Sequence, residues 1–204
     1  VFAYIWKYGR NFPYMEDWEL VPTLSGATPF RYSWLLDQTG EHRYILAKAI
    51  LYPLWQLTYD GRSSMVVSAL LLSAITLALI VTARRLRGHS SLADAFFPLA
   101  LLHPGHAETL IFFIQLCFVL PVALFTTALI IIATGRWERS PAAAWTLAIC
   151  VALLPLNGAI GLLIAPALVV WMAWIAISRR GPLAFGLSAV TTTVVAVLYF
   201  VGFH

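Results

Sequence analysis

Apolar residues run along most of this chain in stretches longer than one face of an amphipathic helix or a buried strand requires. Met65 to Thr82 contains no charged side chain. Because roughly 20 apolar helical residues cross a bilayer core of about 30 Å, the segment predicts a membrane span at about 65–83. It ends on Arg84, Arg85 and Arg87, and later apolar blocks are separated by Arg136 with Arg139 and by Arg179 with Arg180. Short basic clusters between spans mark the cytoplasmic side. Clusters on one side must be joined by an even number of crossings. The stretch between Arg87 and Arg136 therefore divides into spans at about 92–103 and 108–134, turning at His103-Pro104-Gly105-His106. By the same reasoning Ala142 to Ser178 divides into 142–156 and 158–178 at Pro155-Leu156-Asn157-Gly158, since Pro and Gly punctuate helices. A last span covers 183–204. Two abbreviated spans that turn back on the outer side predict a recess there. The pattern as a whole predicts an all-α, multi-pass transmembrane helix bundle in the cytoplasmic (plasma or inner) membrane, with membrane lipids as its surroundings.

The first 62 residues read differently. Val1 to Trp6 resembles the end of a first transmembrane helix, and the parity of the later spans places the rest, up to Arg62, outside the cytoplasm. Lys7 and Arg10 at that end run against the charge rule. Pro22 to Pro29 is a turn-rich connector. Tyr32 to Leu36 and Tyr44 to Leu54 are aromatic and apolar but too short to span, which predicts interfacial helices lying on the outer leaflet. Two regions follow: 1–62, the end of a helix plus the outer loop, and 63–204, the spans.

Composition supports this division. Of the 204 residues, 61% are apolar and 11% charged, against about 45–50% and about 25% in soluble domains, which excludes a freely soluble enzyme. The net charge of +4 does not point to nucleic acid, because the Lys and Arg side chains form no basic stripe. Residues 1–62 hold six acids and six bases, and the remainder holds three acids and seven bases, so the excess belongs to the topology-setting clusters. Cys117 and Cys150 lie in apolar runs without disulfide or zinc spacing. Val1 in place of Met, and an apolar run up to His204, fit a chain cropped at one or both ends.

Almost every group suited to chemistry therefore lies in the outer loop. Glu16-Asp17-Trp18-Glu19 places three carboxylates in four residues. Mutual repulsion raises the proton affinity of at least one or draws in a cation, unless the run is simply a solvated acidic turn. Glu41-His42-Arg43 puts a guanidinium at the start of an interfacial helix, where it can grip a phosphate by two parallel hydrogen bonds or anchor to lipid. His42 is a second donor or an acid–base group. His103 and His106, with Glu108, suggest metal ligands only if further ligands join them, and otherwise form a polar lining of the outer recess.

The order of these features resembles the N-terminal portion of GT-C class integral membrane glycosyltransferases, the group that includes protein O-mannosyltransferases and aminoarabinose transferases. In those enzymes a helix leaves the membrane, an acidic motif follows at once, and interfacial helices precede the second span. Glu16-Asp17 occupies the place of that acidic motif, and Glu41-His42-Arg43 resembles a downstream motif of some bacterial relatives. The resemblance implies a lipid-linked donor, a polyprenyl-phosphate sugar, and transfer to an extracytoplasmic hydroxyl or amine. An acceptor hydroxyl needs a carboxylate to take its proton, a role that falls to Asp17. Glu16 or Glu19 would orient the acceptor or hold a divalent cation, with the metal left undefined. Arg43, assisted by His42, would stabilise the leaving phosphate, and Glu41, His103 and His106 complete the expected substrate-binding set. A lipid or glycolipid transporter or flippase, or a non-catalytic membrane scaffold, would use the same outer recess without a covalent step.

Overall fold

The computed structural model describes residues 1–178 and 181–203, apart from the side chain of Pro104. The chain is all-helical, with 76% of residues in helix and no strand among the described residues. It forms two compact units, Val1–Leu120 and Pro121–His204.

In the first unit α1 (Phe2–Tyr8), α2 (Asp17–Leu24) and α3 (Ile45–Thr58) gather about the N-terminal half of α4 (Arg62–Arg87). Helix α4 carries Arg84, Arg85 and Arg87 in its last turn, where positive charge complements the carbonyl end of the helix. Ile5 packs on Met65 and Ala69. Leu20 and Leu24 of α2 and Ala47 and Leu51 of α3 form a second core with Leu116, Cys117 and Leu120, against which Val67 and Leu71 of α4 pack.

The chain then returns along α4. Ser91 caps a 3-10 turn at Leu92–Ala95, and Asp94 in that turn pairs with Arg87 at the end of α4. Helices α5 (Phe96–Leu101) and α6 (Ala107–Ile111) follow, and the Ser64 hydroxyl near the start of α4 donates to the Phe113 carbonyl at 3.1 Å. Ser64 and Arg87 are 23 residues apart, about 35 Å along a helix. The 19 residues from Asp94 to Phe113 cover that distance only if they climb almost without slack at about 1.5–2.0 Å per residue.

This relocates one expected turn. His103-Pro104-Gly105-His106 does not reverse the chain. Pro104 opens a 3-10 turn, Pro104–His106, that leads into α6, a place where its missing N–H costs nothing. The break comes instead at Phe112, which is extended (φ −117°, ψ 140°), before α7 (Leu116–Ala133) begins. The run expected as one helix over 108–134 is thus two.

In the second unit α8 (Arg136–Arg139), α9 (Pro141–Leu153), α10 (Gly158–Ser178) and α11 (Leu183–Tyr199) pack on the C-terminal part of α7. Trp137 and Trp171 are 34 residues apart in sequence, yet their ring centroids lie 5.6 Å apart. The chain must therefore reverse between them, and it does so at the 3-10 turn Leu154–Asn157. Phe185 joins this aromatic cluster, and the Ser188 hydroxyl donates to the Ala148 carbonyl at 2.7 Å, tying α11 to α9. Trp137 thus sits at the same end of the unit as the α10–α11 connection. Arg179 and Arg180, expected to form a basic cluster there, lie outside the described residues, as does His204 at the end of the expected last span.

Helix α10 meets the turn through Gly161, where a Cβ would stand 1.7 Å from the Leu154 carbonyl oxygen. Backbone, unlike a side-chain tip, cannot step aside. Gly161→Ala is therefore expected to destabilise the second unit beyond the ~1–3 kcal/mol of ordinary overpacking, read as a lower melting temperature and altered tryptophan emission from Trp137 and Trp171.

Among the described residues three helical stretches are long and apolar enough to cross a membrane: Arg62–Arg87, Leu116–Ala133 and Pro141–Ser178, the last including the Leu154–Asn157 turn. They mark a membrane protein.

Candidate functional site: an acidic, aromatic cavity beside helix α2

The acidic motif opens α2. Met15 takes a left-handed backbone (φ 48°), tightening a turn in which the Asp17 N–H donates to the Tyr14 carbonyl at 3.0 Å. The two sides of this turn diverge in environment. Asp17 is fully buried, and both its oxygens are engaged. Oδ2 accepts from the Tyr14 N–H at 3.1 Å, and Oδ1 accepts from the Ile114 N–H at 3.0 Å, across 97 residues of sequence. Burial dominates its proton affinity and pushes the carboxyl up to about 6, against the opposing effect of the backbone hydrogen bonds. Glu16 and Glu19 remain exposed.

The second motif docks on the first. Thr39 and His42 exchange two backbone hydrogen bonds around Gly40, which is left-handed (φ 55°). The Gly40 N–H donates to Glu19 Oε2 at 2.9 Å. A Cβ on Gly40 would meet Glu16 Oε1 at 2.9 Å, so glycine serves both the turn and the close approach of the carboxylate. Glu41-His42-Arg43 is thereby held against α2, with Glu41 exposed and His42 and Arg43 half-buried.

Between these parts lies a cavity of about 180 Å³. Glu16, His42, Glu108 and Gln115 supply its polar groups, and Tyr14, Tyr44, Phe112 and Phe118 its aromatic walls. Tyr14 stacks on Phe112 with ring centroids 4.2 Å apart. The volume is below the ~300 Å³ at which pockets enclose drug-sized ligands, which suits a single head group or ring. Two carboxyl groups and no Lys or Arg line it, a composition that disfavours phosphate and favours a hydroxyl- or amine-bearing group. No family model, curated protein or solved structure matches the chain.

The residues singled out from sequence are therefore only partly assembled. Glu16 and His42 share the cavity, and Glu19 fixes the turn beside it. Asp17 and Arg43 are not in its lining. His103 accepts from the Gly105 N–H through Nδ1 at 2.8 Å, and His106 Nε2 lies 3.0 Å from the Ala100 carbonyl, so both rings serve the local chain path rather than the cavity. Among the described residues no three His, Cys, Asp or Glu side chains converge as metal ligands.

Glu108, expected with His103 and His106 as a metal ligand or a polar lining, enters the cavity without either histidine, and Lys48 was missed. Lys48 sits in a buried stripe, Tyr44-Ala47-Lys48-Leu51, whose i, i+3, i+4, i+7 spacing identifies an inward face. Its Nζ donates to the Asp37 carbonyl at 2.6 Å and the Trp34 carbonyl at 3.2 Å, and lies 5.2 Å from the Trp34 ring centroid. Burial lowers its proton affinity to about 8, opposed by the charges of Asp37 and Glu19. These bonds hold the start of the loop that delivers His42. Lys48→Met removes the side-chain donor to the Asp37 carbonyl and one of two donors to the Trp34 carbonyl, and a hydrogen bond from a charged group is worth about 1.5–3 kcal/mol. The expected outcome is roughly tenfold or faster hydrogen exchange at Thr39 and His42, measured against unchanged exchange in α9.

Proposed function

We propose that this chain belongs to a membrane glycosyltransferase that moves a sugar from a polyprenyl-phosphate lipid to an acceptor outside the cytoplasm, using the cavity beside α2 as its acceptor site. The observation that carries the reading is the meeting of Glu16 and His42, from motifs 26 residues apart in sequence, in one aromatic-walled cavity with Glu108. In this reading the spans form a multi-pass bundle in the cytoplasmic membrane, with Arg84, Arg85, Arg87, Arg136 and Arg139 on the inner side and the cavity on the outer one. Helix α3 and the 3-10 turn Tyr32–Leu35 lie at the interface.

The chemistry is a direct displacement. The acceptor oxygen or nitrogen forms a bond to the anomeric carbon as the bond from that carbon to the phosphate oxygen breaks. The electron pair leaves with the polyprenyl phosphate, and the configuration inverts. The acceptor's proton passes to a carboxylate. Sequence pattern assigned that role to Asp17, but a fully buried carboxylate with both oxygens bonded to backbone has no open approach, so the role passes to Glu16. His42 and Glu108 orient the acceptor, and Arg43, next in the chain to His42, serves the departing phosphate at the rim.

The test is a transfer assay with the chain in lipid nanodiscs, polyprenyl-phosphate carrying a radiolabelled sugar, and a panel of hydroxyl and amine acceptors. Appearance of label covalently bound to acceptor supports the reading. Label that crosses a liposome bilayer with the lipid–sugar linkage intact replaces it with a flippase.

A further inference from the structure

The cavity has two walls from distant parts of the chain. One is the Tyr14-Met15-Glu16 turn ahead of α2, and the other is the Phe112–Gln115 break between α6 and α7. Nothing in the local sequence dictates that break. Residues 107–120 contain no Gly, and Pro first appears at Pro121, so an unbroken helix from Ala107 onward is locally permitted. Besides the Ser64–Phe113 bond, the Tyr14–Phe112 stack and the Trp55–Phe113 ring contact, a bond from the Ile114 N–H to Asp17 holds the break. A carboxylate just ahead of α7 also satisfies a donor that the helix leaves unpaired and meets the positive end of its dipole.

We infer that Asp17 is a positioning residue whose carboxylate clasps the interrupted helix at Ile114 and so builds the cavity, while Glu16, its neighbour, is the group that works inside it. The assignment of work to Glu16 rests on the proposed transfer reaction; the clasp does not. The adjacent residues of one motif thus divide the labour, Asp17 turning into the protein and Glu16 into the cavity. The titratable groups facing Asp17 are Glu16, whose charge opposes ionisation of Asp17, and the Cys117 thiol of α7.

Linkage gives the clasp a signature that a merely structural contact lacks. Burial raises the Asp17 proton affinity to about 6, whereas the bond from the Ile114 N–H opposes that rise, so the clasp favours the ionised carboxylate and weakens when Asp17 is protonated. For a local opening at Ile114 in which Asp17 stays buried, protection corrected for intrinsic exchange should fall as pH drops through about 6.

The experiment is hydrogen exchange with mass spectrometry on the full chain in nanodiscs, comparing wild type, Asp17→Asn and Glu16→Gln, with α9 peptides as the internal control for folding. The expected result is exchange about 10- to 100-fold faster across 112–118 in Asp17→Asn, with no pH response left and α9 unchanged. Glu16→Gln should keep wild-type protection at neutral pH, with its pH response moved to lower pH because the Glu16 charge no longer opposes ionisation of Asp17. Wild-type protection in Asp17→Asn, or a wild type whose protection does not fall on acidification, overturns the clasp. Failure of the wild type to transfer sugar at all overturns the proposed reaction while leaving the exchange result to stand.

Discussion

Glu16→Gln is expected to lower sugar transfer by about 10²–10⁴-fold with little change in folding or donor binding. The range is the usual contribution of a general base, and the amide keeps the size and hydrogen-bonding reach of the acid while losing its capacity to take a proton. Folding should survive because Glu16 is exposed and the turn around it is held by neighbours: Asp17 through Tyr14 and Ile114, and Glu19 through Gly40. The measurement is initial rate at saturating acceptor, with binding of the lipid donor followed separately. Transfer within threefold of wild type would remove Glu16 as the base and return attention to Glu108, the other carboxylate in the cavity.

The second large effect is an unusual pH dependence of stability. The Asp17 carboxyl has its proton affinity raised to about 6 from 3.8, so between those values the folded chain holds more protons than the unfolded one. Its contribution is most favourable below about pH 4 and falls by about 3 kcal/mol as pH rises through 6. Lys48 acts in the opposite sense. Its proton affinity is lowered to about 8 from 10.5, so the unfolded chain holds more protons in that interval and stability rises with pH across it. Together the two buried charges predict a minimum between about pH 6 and pH 8, where soluble proteins are commonly most stable. Asp60, held below the ordinary carboxylate range by its hydrogen bonds to Arg62, loses its contribution only at lower pH. Thermal unfolding from pH 4.5 to 10 tests this. Asp17→Asn should flatten the acid limb and Lys48→Met the alkaline one, and a wild-type maximum at neutral pH would contradict both.

Particular residues show why some features were legible in the sequence and others were not. The α4 span is written in Met65 to Thr82 because an uninterrupted apolar run of that length has few soluble alternatives, and its end is written in the arginines that follow. The reversal at Leu154–Asn157 is announced by Pro155 and Gly158. His103-Pro104-Gly105-His106 carries equally strong turn residues, yet the chain climbs through it, because proline is as well suited to opening a helical turn as to ending one and only the distance between Arg87 and Ser64 tells the two apart. The break at Phe112–Gln115 has no sequence signal, since the partner that holds it lies 97 residues away.

The acidic motif behaves in the same way. Its position outside the first long span, its concentration of carboxylates and its separation from the basic clusters follow from residue order, because charge and hydropathy are additive along a chain. Which carboxylate is buried and which is available is not additive. Asp17 and Glu16 are adjacent and chemically alike, and their roles diverge only because one side of a tight turn meets α7 and the other meets open space. The sequence determined an all-helical membrane chain with its ionisable chemistry gathered before residue 62. The tertiary structure alone decided that Glu108 would join that chemistry, that Lys48 would brace it, and that Asp17 would be withdrawn into the fold, since burial and hydrogen-bond partners are properties of contacts between distant segments.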